Sequence, residues 1–160
     1  MQHLVAPKES WFYLVAGNKV ASITASHILE RGADGAHIHL VVQKRFSSVE
    51  RHSLVELQLW RLEGSYVINR FTGLYLTVDS TGALIMTSKQ ADASCQQWQF
   101  SEDGSFFLIS DSSRVVDFVN DKAVLVERSS SKTICKYSHA HHYNARLPKQ
   151  FNSLHALYSL

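Results

Sequence analysis

The chain has 160 residues, 45% of them apolar and 19% charged, with a formal net charge of +2 and both signs interspersed. This composition excludes a disordered chain and suits one domain with a real core, and no basic face marks a nucleic-acid binder. No apolar run approaches the roughly 20 residues that cross a bilayer. Met1-Gln2-His3-Leu4-Val5-Ala6-Pro7-Lys8 lacks the basic and long apolar regions of a secretory leader, so a cytoplasmic location is expected.

Along the chain the apolar pattern alternates at short range with almost no helical period, which predicts an all-β fold. Strands are expected at 11–16, 20–24, 37–42 and 57–62, with long loops between them. A tighter set follows at 66–69, 74–78, 83–87 and 96–100, punctuated by turns at Arg70-Phe71-Thr72-Gly73 and Asp79-Ser80-Thr81-Gly82. A third set begins at 106–109 and continues at 114–118 and, past an Asn120-Asp121 turn, at 123–127. Its closing strand is expected at Lys149-Gln150-Phe151, which makes 129–148 an insertion. The apolar tail at 154–160 is suited to packing back beside the first strand.

Two segments share one frame, Gln58-Leu59-Trp60-Arg61-Leu62 and Gln96-Gln97-Trp98-Gln99-Phe100, each followed by a glycine and an aromatic-containing apolar run. Recurrence at about 40 residues marks an internal repeat of one supersecondary unit. Gly35-Ala36-His37-Ile38 aligns in the same way with Gly82-Ala83-Leu84-Ile85. The units are read as 10–63, 64–103 and 104–155 within a single domain. Residues two apart on a strand share a face, so Gln58 with Trp60, and Gln96 with Trp98, are expected to hold the fold, and Phe151 stands in for the third tryptophan.

Three four-strand units with Gln-x-Trp in the fourth strand resemble a β-trefoil of the ricin B-chain type, in its single-trefoil variety. Trp11-Phe12-Tyr13-Leu14 and Gln58-Leu59-Trp60-Arg61-Leu62-Glu63-Gly64 carry the likeness, which spans 10–151. The resemblance implies a non-catalytic, carbohydrate-binding, lectin-like protein with pseudo-threefold symmetry and one shallow sugar pocket per unit. Its parts are an aspartate in the second strand, an aromatic platform after the third, and an Asn-Gln pair before the tryptophan. A carboxylate accepts from adjacent sugar hydroxyls, while an aromatic face covers the apolar side of the ring.

Against that pattern the aspartate position holds Ser22, Thr77 and Asp117, and the asparagine position holds Leu57, Cys95 and Pro148. After the third strand stand Val41, Thr87 and Glu127, none of them aromatic. The third unit departs least. Asp117, Asn120 and Glu127 are its candidate sugar ligands, with Tyr137 or Tyr143 as the replacement platform. Asp117 has a plainer reading as well, bonding backbone amides of its own turn.

Cys95 and Cys135 lack CxxC partners and are expected as buried free thiols, a single bridge being the alternative. His139-Ala140-His141-His142 and the pair His37 and His39 read as loop and strand histidines, so no metal and no cofactor is expected. No nucleophile elbow, phosphate-cradling loop or His-Glu-x-x-His helix is present, and the chain is read as not an enzyme. The expected partners are glycans or glycoconjugates, with a homodimer left open. The alternative is a protein partner held by the loops, in the manner of a protease inhibitor or an interaction module.

Overall fold

The computed structural model describes residues 10–44, 52–91, 93–132 and 134–139. These contain twelve strands: β1 (Phe12–Ala16), β2 (Lys19–Ser22), β3 (His39–Val41), β4 (Trp60–Glu63), β5 (Tyr66–Asn69), β6 (Tyr75–Val78), β7 (Leu84–Thr87), β8 (Trp98–Phe100), β9 (Phe106–Leu108), β10 (Arg114–Val119), β11 (Lys122–Glu127) and β12 (Cys135–His139). Most of the expected strands are present, with their ends shifted by one to three residues.

Six of them close into a barrel. The hairpin β4–β5 pairs Trp60 with Asn69 and Leu62 with Val67, and β8–β9 pairs Trp98 with Leu108 and Phe100 with Phe106. β12 pairs with β1 along its whole length, Leu14 facing Tyr137. Three seams join these pairs: the bridge between Phe12 and Trp60, the Trp98 N–H donating to Ser65 O at 2.8 Å, and the Cys135 N–H donating to Gly104 O at 3.0 Å.

The other strands form three hairpins, β2–β3, β6–β7 and β10–β11, that meet over one end of the barrel. Their mutual bonds run in a ring. Met86 N–H donates to Ala36 O at 2.9 Å, Leu125 N–H to Gly82 O at 2.7 Å, and Ala123 N–H to Ile38 O at 2.9 Å. A six-strand barrel capped by a triangle of hairpins is a β-trefoil, and the pairing of each unit's fourth strand with the next unit's first is its pseudo-threefold symmetry.

Why the tryptophans recur is now physical. Trp60 and Trp98 are buried, and their indole N–H groups donate to Ala21 O at 3.1 Å and Leu76 O at 2.9 Å, equivalent carbonyls on β2 and β6. Each ring thus ties the barrel to its own cap hairpin while burying a large apolar area. The barrel interior is filled: Phe12, Leu14, Val67, Phe106 and Leu108 cluster with both rings, and the void beside Leu14, Trp60 and Phe106 is about 10 Å³, no more than one water needs.

The third closing strand differs from expectation. Lys149-Gln150-Phe151 lies outside the described residues, and the strand that closes on β1 is β12, inside the stretch read as an insertion. Both edges of β1 are thereby occupied, by β12 on one side and by β2 and β4 on the other. Phe106 precedes Tyr137 by as many residues as Val67 precedes Trp98. Tyr137 faces Leu14 as Trp98 faces Leu108, so Cys135-Lys136-Tyr137 occupies the Gln-x-Trp position. Tyr137 packs against Phe12 and Phe100 with ring centroids 5.5 and 5.9 Å apart.

Two short helices were not anticipated, α1 (Ala25–Arg31) and α2 (His52–Glu56), both in the long loops of the first unit. α1 buries only Ile28 and ends at Gly32, whose φ of 80° is the left-handed region. Two turns with one buried residue leave no period to read. No helix among the described residues is long and apolar enough to cross a membrane.

Candidate functional site

The polar residues of the repeat explain one another once the units are superposed by register. Gln58 accepts the Lys44 N–H at 2.7 Å through Oε1 and donates to Val42 O at 3.0 Å through Nε2. Gln96 does the same one unit on, accepting the Gln90 N–H at 2.9 Å and donating to Ser88 O at 2.9 Å. Each amide reads a carbonyl and an N–H two residues apart in the loop after the third strand. Gln96 Nε2 also lies 3.0 Å from the hydroxyls of Thr77 and Thr87. Both glutamines are buried, where an unmade bond would cost about 1–3 kcal/mol.

In the third unit the glutamine position holds Cys135, too short to reach that loop. Asp117 takes its place. Its Oδ2 accepts the Lys132 N–H at 3.2 Å and its Oδ1 accepts the Phe118 N–H at 2.8 Å. The carboxylate is buried, with 6% of the residue exposed. Burial, and then the negative charge of Asp117, push the Cys135 thiol up to about 12, so this cysteine is an inert core group. Cys95 is half-buried, its thiol donating to Gln90 Oε1 at 3.2 Å, and the two cysteines do not form a disulfide.

The residues expected to bind sugar are spread rather than gathered. Asn120 sits at the tip of the β10–β11 hairpin, where Asn120 and Asp121 have φ of 53° and 62° and form a two-residue turn between Val119 and Lys122. Glu127 lies at the other end of β11, opposite Arg114. Five steps at about 3.4 Å put roughly 17 Å between Lys122 and Glu127. Asp117 is buried mid-strand opposite Val124, and Tyr143 lies outside the described residues. The matching positions in the other units are equally engaged. Ser22 Oγ lies 2.8 Å from Ile23 O and 3.3 Å from Leu57 O, and Thr77 Oγ1 donates to Tyr75 O at 3.0 Å.

Tyr137 does border an open groove of about 470 Å³, between the β8–β9 turn and β12, a volume in the range of small-ligand sites. Phe100, Tyr137 and Ile134 supply its apolar wall, and Glu102, Asp103 and Lys136 its charges. Asp103 Oδ1 accepts the Ser105 N–H at 2.9 Å and the Ser101 hydroxyl. These bonds, the Ser101 hydroxyl foremost, hold its carboxyl down at about 2. Gly104 forms the floor: its φ is +86°, and a Cβ there would lie 2.1 Å from Ile134 Cγ2. The sequence reading missed Asp103 and Lys136. The one available signal was a faded copy of the repeat at Cys135-Lys136-Tyr137.

On the cap, His37 and His39 lie near His27 and Lys122. His37 Nδ1 is buried without a partner, and burial followed by the Lys122 charge holds both imidazoles below their ordinary value. No group of three or more His, Cys, Asp or Glu side chains among the described residues is placed to share a metal ion.

Solved structures similar to this chain include β-trefoil and R-type lectins. The chain is similar to the C-terminal half of an earthworm R-type lectin solved with GalNAc, at a TM-score of 0.63 and 16% identity, covering 81% of this chain and 99% of that one. It is similar to the β-trefoil lectin of the Vibrio vulnificus hemolysin/cytolysin solved with N-acetyl-D-lactosamine, at a TM-score of 0.60 and 12% identity, over 81% and 93% of the two chains. GalNAc-T7, solved with UDP, GalNAc and Mn2+, matches at a TM-score of 0.59 and 15% identity, over 82% of this chain but only 22% of its own. No protein-family model matches the sequence, and no match was found among curated proteins. Identities this low support the β-trefoil fold and nothing finer.

Proposed function

We propose that the chain is a non-catalytic, carbohydrate-binding β-trefoil of the ricin B type, in its single-trefoil variety, with its working site on the third unit where it borders the second. The observation that carries this reading is the groove between the β8–β9 turn and β12, which pairs an aromatic ring with a pinned, ionised carboxylate. Asp103 would accept hydroxyls of a sugar, Tyr137 and Phe100 would meet its apolar face, and Lys136 would reach the rim. Of the residues expected from sequence, Tyr137 lines this site, and Asp117 supports it by holding the loop at Lys132. Likeness to structures solved with GalNAc and N-acetyl-D-lactosamine agrees with a glycan ligand. One shallow site binds weakly, and a homodimer would raise avidity on multivalent glycans.

The second reading is a protein-binding trefoil. It is favoured by the burial of Ser22, Thr77 and Asp117, which leaves the usual sugar positions closed. A glycan array of the full chain, run beside Asp103→Asn, separates the two. Asparagine keeps the Oδ1 acceptor for Ser105, while it removes the charge and turns the second carboxylate oxygen into an N–H donor. Binding weakened about tenfold or more by Asp103→Asn, the range of a charge-assisted hydrogen bond, supports the groove. A folded protein that binds no glycan refutes the carbohydrate reading and leaves the protein partner. Because Asp103 ionises at about 2, binding through it should persist in acid until the pH nears that value.

A further inference from the structure

We propose that the second unit carries a separate site for an acidic glycan, built on Tyr66, Tyr75 and Lys89. The proposal rests on the carbohydrate-binding reading above but on none of its residues. Tyr66 opens β5 and Tyr75 opens β6, and the pairing of Ile68 with Tyr75 brings the two strands side by side. The rings stand with centroids 5.3 Å apart at 86°, a right-angled corner of two half-buried aromatic surfaces. Lys89, exposed in the loop after β7, holds its Nζ 4.9 Å from the centre of the Tyr66 ring.

What this corner lacks is a polar partner. Among the described residues neither phenol hydroxyl makes a hydrogen bond, and the Lys89 ammonium makes no ion pair. The carboxylate nearest by register is Glu63, opposite Tyr66, and it is committed to Arg61 at 2.9 Å. Gln90 is exposed beside Thr87; its Oε1 accepts the Cys95 thiol at 3.2 Å and its Nε2 lies 3.4 Å from the Thr87 hydroxyl, which leaves one amide N–H for a ligand. A corner of two rings takes the C–H face of a pyranose. Two phenols and an amide serve its hydroxyls, and an unpaired ammonium selects a carboxylate on the sugar. An acidic sugar satisfies all of these groups together. A neutral one leaves the cation unpaired.

The test is calorimetric titration of the full chain with 3′-sialyllactose and with lactose, at low and high salt, on wild type, Lys89→Gln, Tyr75→Leu and Asp103→Asn. Lys89 is exposed, so Lys89→Gln should keep the fold, which circular dichroism checks. The expected result is sialyllactose binding at least about fivefold tighter than lactose at low salt, the preference lost in Lys89→Gln and kept in Asp103→Asn. Tyr75→Leu should lose both the affinity and the preference of this site. Equal affinities, or a preference that survives Lys89→Gln, overturn the second-unit site while leaving lactose binding to the groove intact. Binding of neither sugar by a folded protein overturns the second-unit site, and the glycan array decides the carbohydrate reading separately. Binding of a polyglutamate peptide in place of sialyllactose overturns the glycan assignment.

Discussion

The exchange of Asp117 for a glutamine in the third unit can be tested by reversing it. In the second unit the hub is Thr77 with Gln96; in the third the same positions hold Asp117 and Cys135. Removing the carboxylate in Asp117→Thr strips the Lys132 and Phe118 N–H groups of their acceptor. Hydrogen bonds to a charged group are each worth about 1.5–3 kcal/mol, but Lys132 is exposed and water replaces part of its bond, so a net loss of about 2–3 kcal/mol is expected. Cys135→Gln alone places an amide where the carboxylate already holds the loop, in a core with little free space, and should cost about 1–3 kcal/mol.

Together, Asp117→Thr and Cys135→Gln rebuild the second unit's hub, the new amide taking over the Lys132 N–H. The double variant should therefore be more stable than the sum of the single losses by at least about 1 kcal/mol. Urea unfolding followed by tryptophan fluorescence measures each corner of the cycle, with the slope checked for constancy. Additivity within about 0.5 kcal/mol refutes the equivalence of the two hubs. A loss under about 0.5 kcal/mol for Asp117→Thr refutes the structural role of the carboxylate itself.

Gly104→Ala should cost about 1–3 kcal/mol, since φ of +86° and the Ile134 side chain both oppose a Cβ. In the Ile134→Ala background the steric part should be relieved and the backbone part should remain, which urea midpoints resolve. The cap histidines set a pH dependence. His37 and His39 are held below the ordinary 6.5 by burial, Lys122 and the other histidines, against the opposing charges of Asp79 and Asp121. As the pH falls through 6.5 the unfolded chain takes up protons first, so stability should decline below that value. Unfolding midpoints at pH 7 and pH 5 measure the decline, and a His37→Phe variant that keeps all of it would count against this source.

Much of the fold was legible because its determinants are local. Alternating apolar residues and glycine turns need no partner to be recognised, and Gln58 with Trp60 and Gln96 with Trp98 name their own unit. β12 was not legible, because Cys135 and Tyr137 preserve the burial and the register of the motif without its residue types. α1 escaped for a related reason: one buried isoleucine in seven residues makes no pattern.

The site followed a different logic. From sequence, Asp117, Asn120 and Glu127 lie within one hairpin and look like neighbours. A six-residue strand separates them in space, and the pleat turns Asp117 inward while the hairpin tip carries Asn120 to solvent. Asp103 and Tyr137, far apart in the chain, border one groove because the β8–β9 turn and β12 are joined at the Cys135–Gly104 bond. Sequence alone determined the all-β class and the threefold repeat, since periodicity and turn chemistry act between near neighbours. Only the tertiary structure decided which strand closes the barrel and which polar groups converge, because both depend on pairing between segments whose separation along the chain carries no signal of their distance in space.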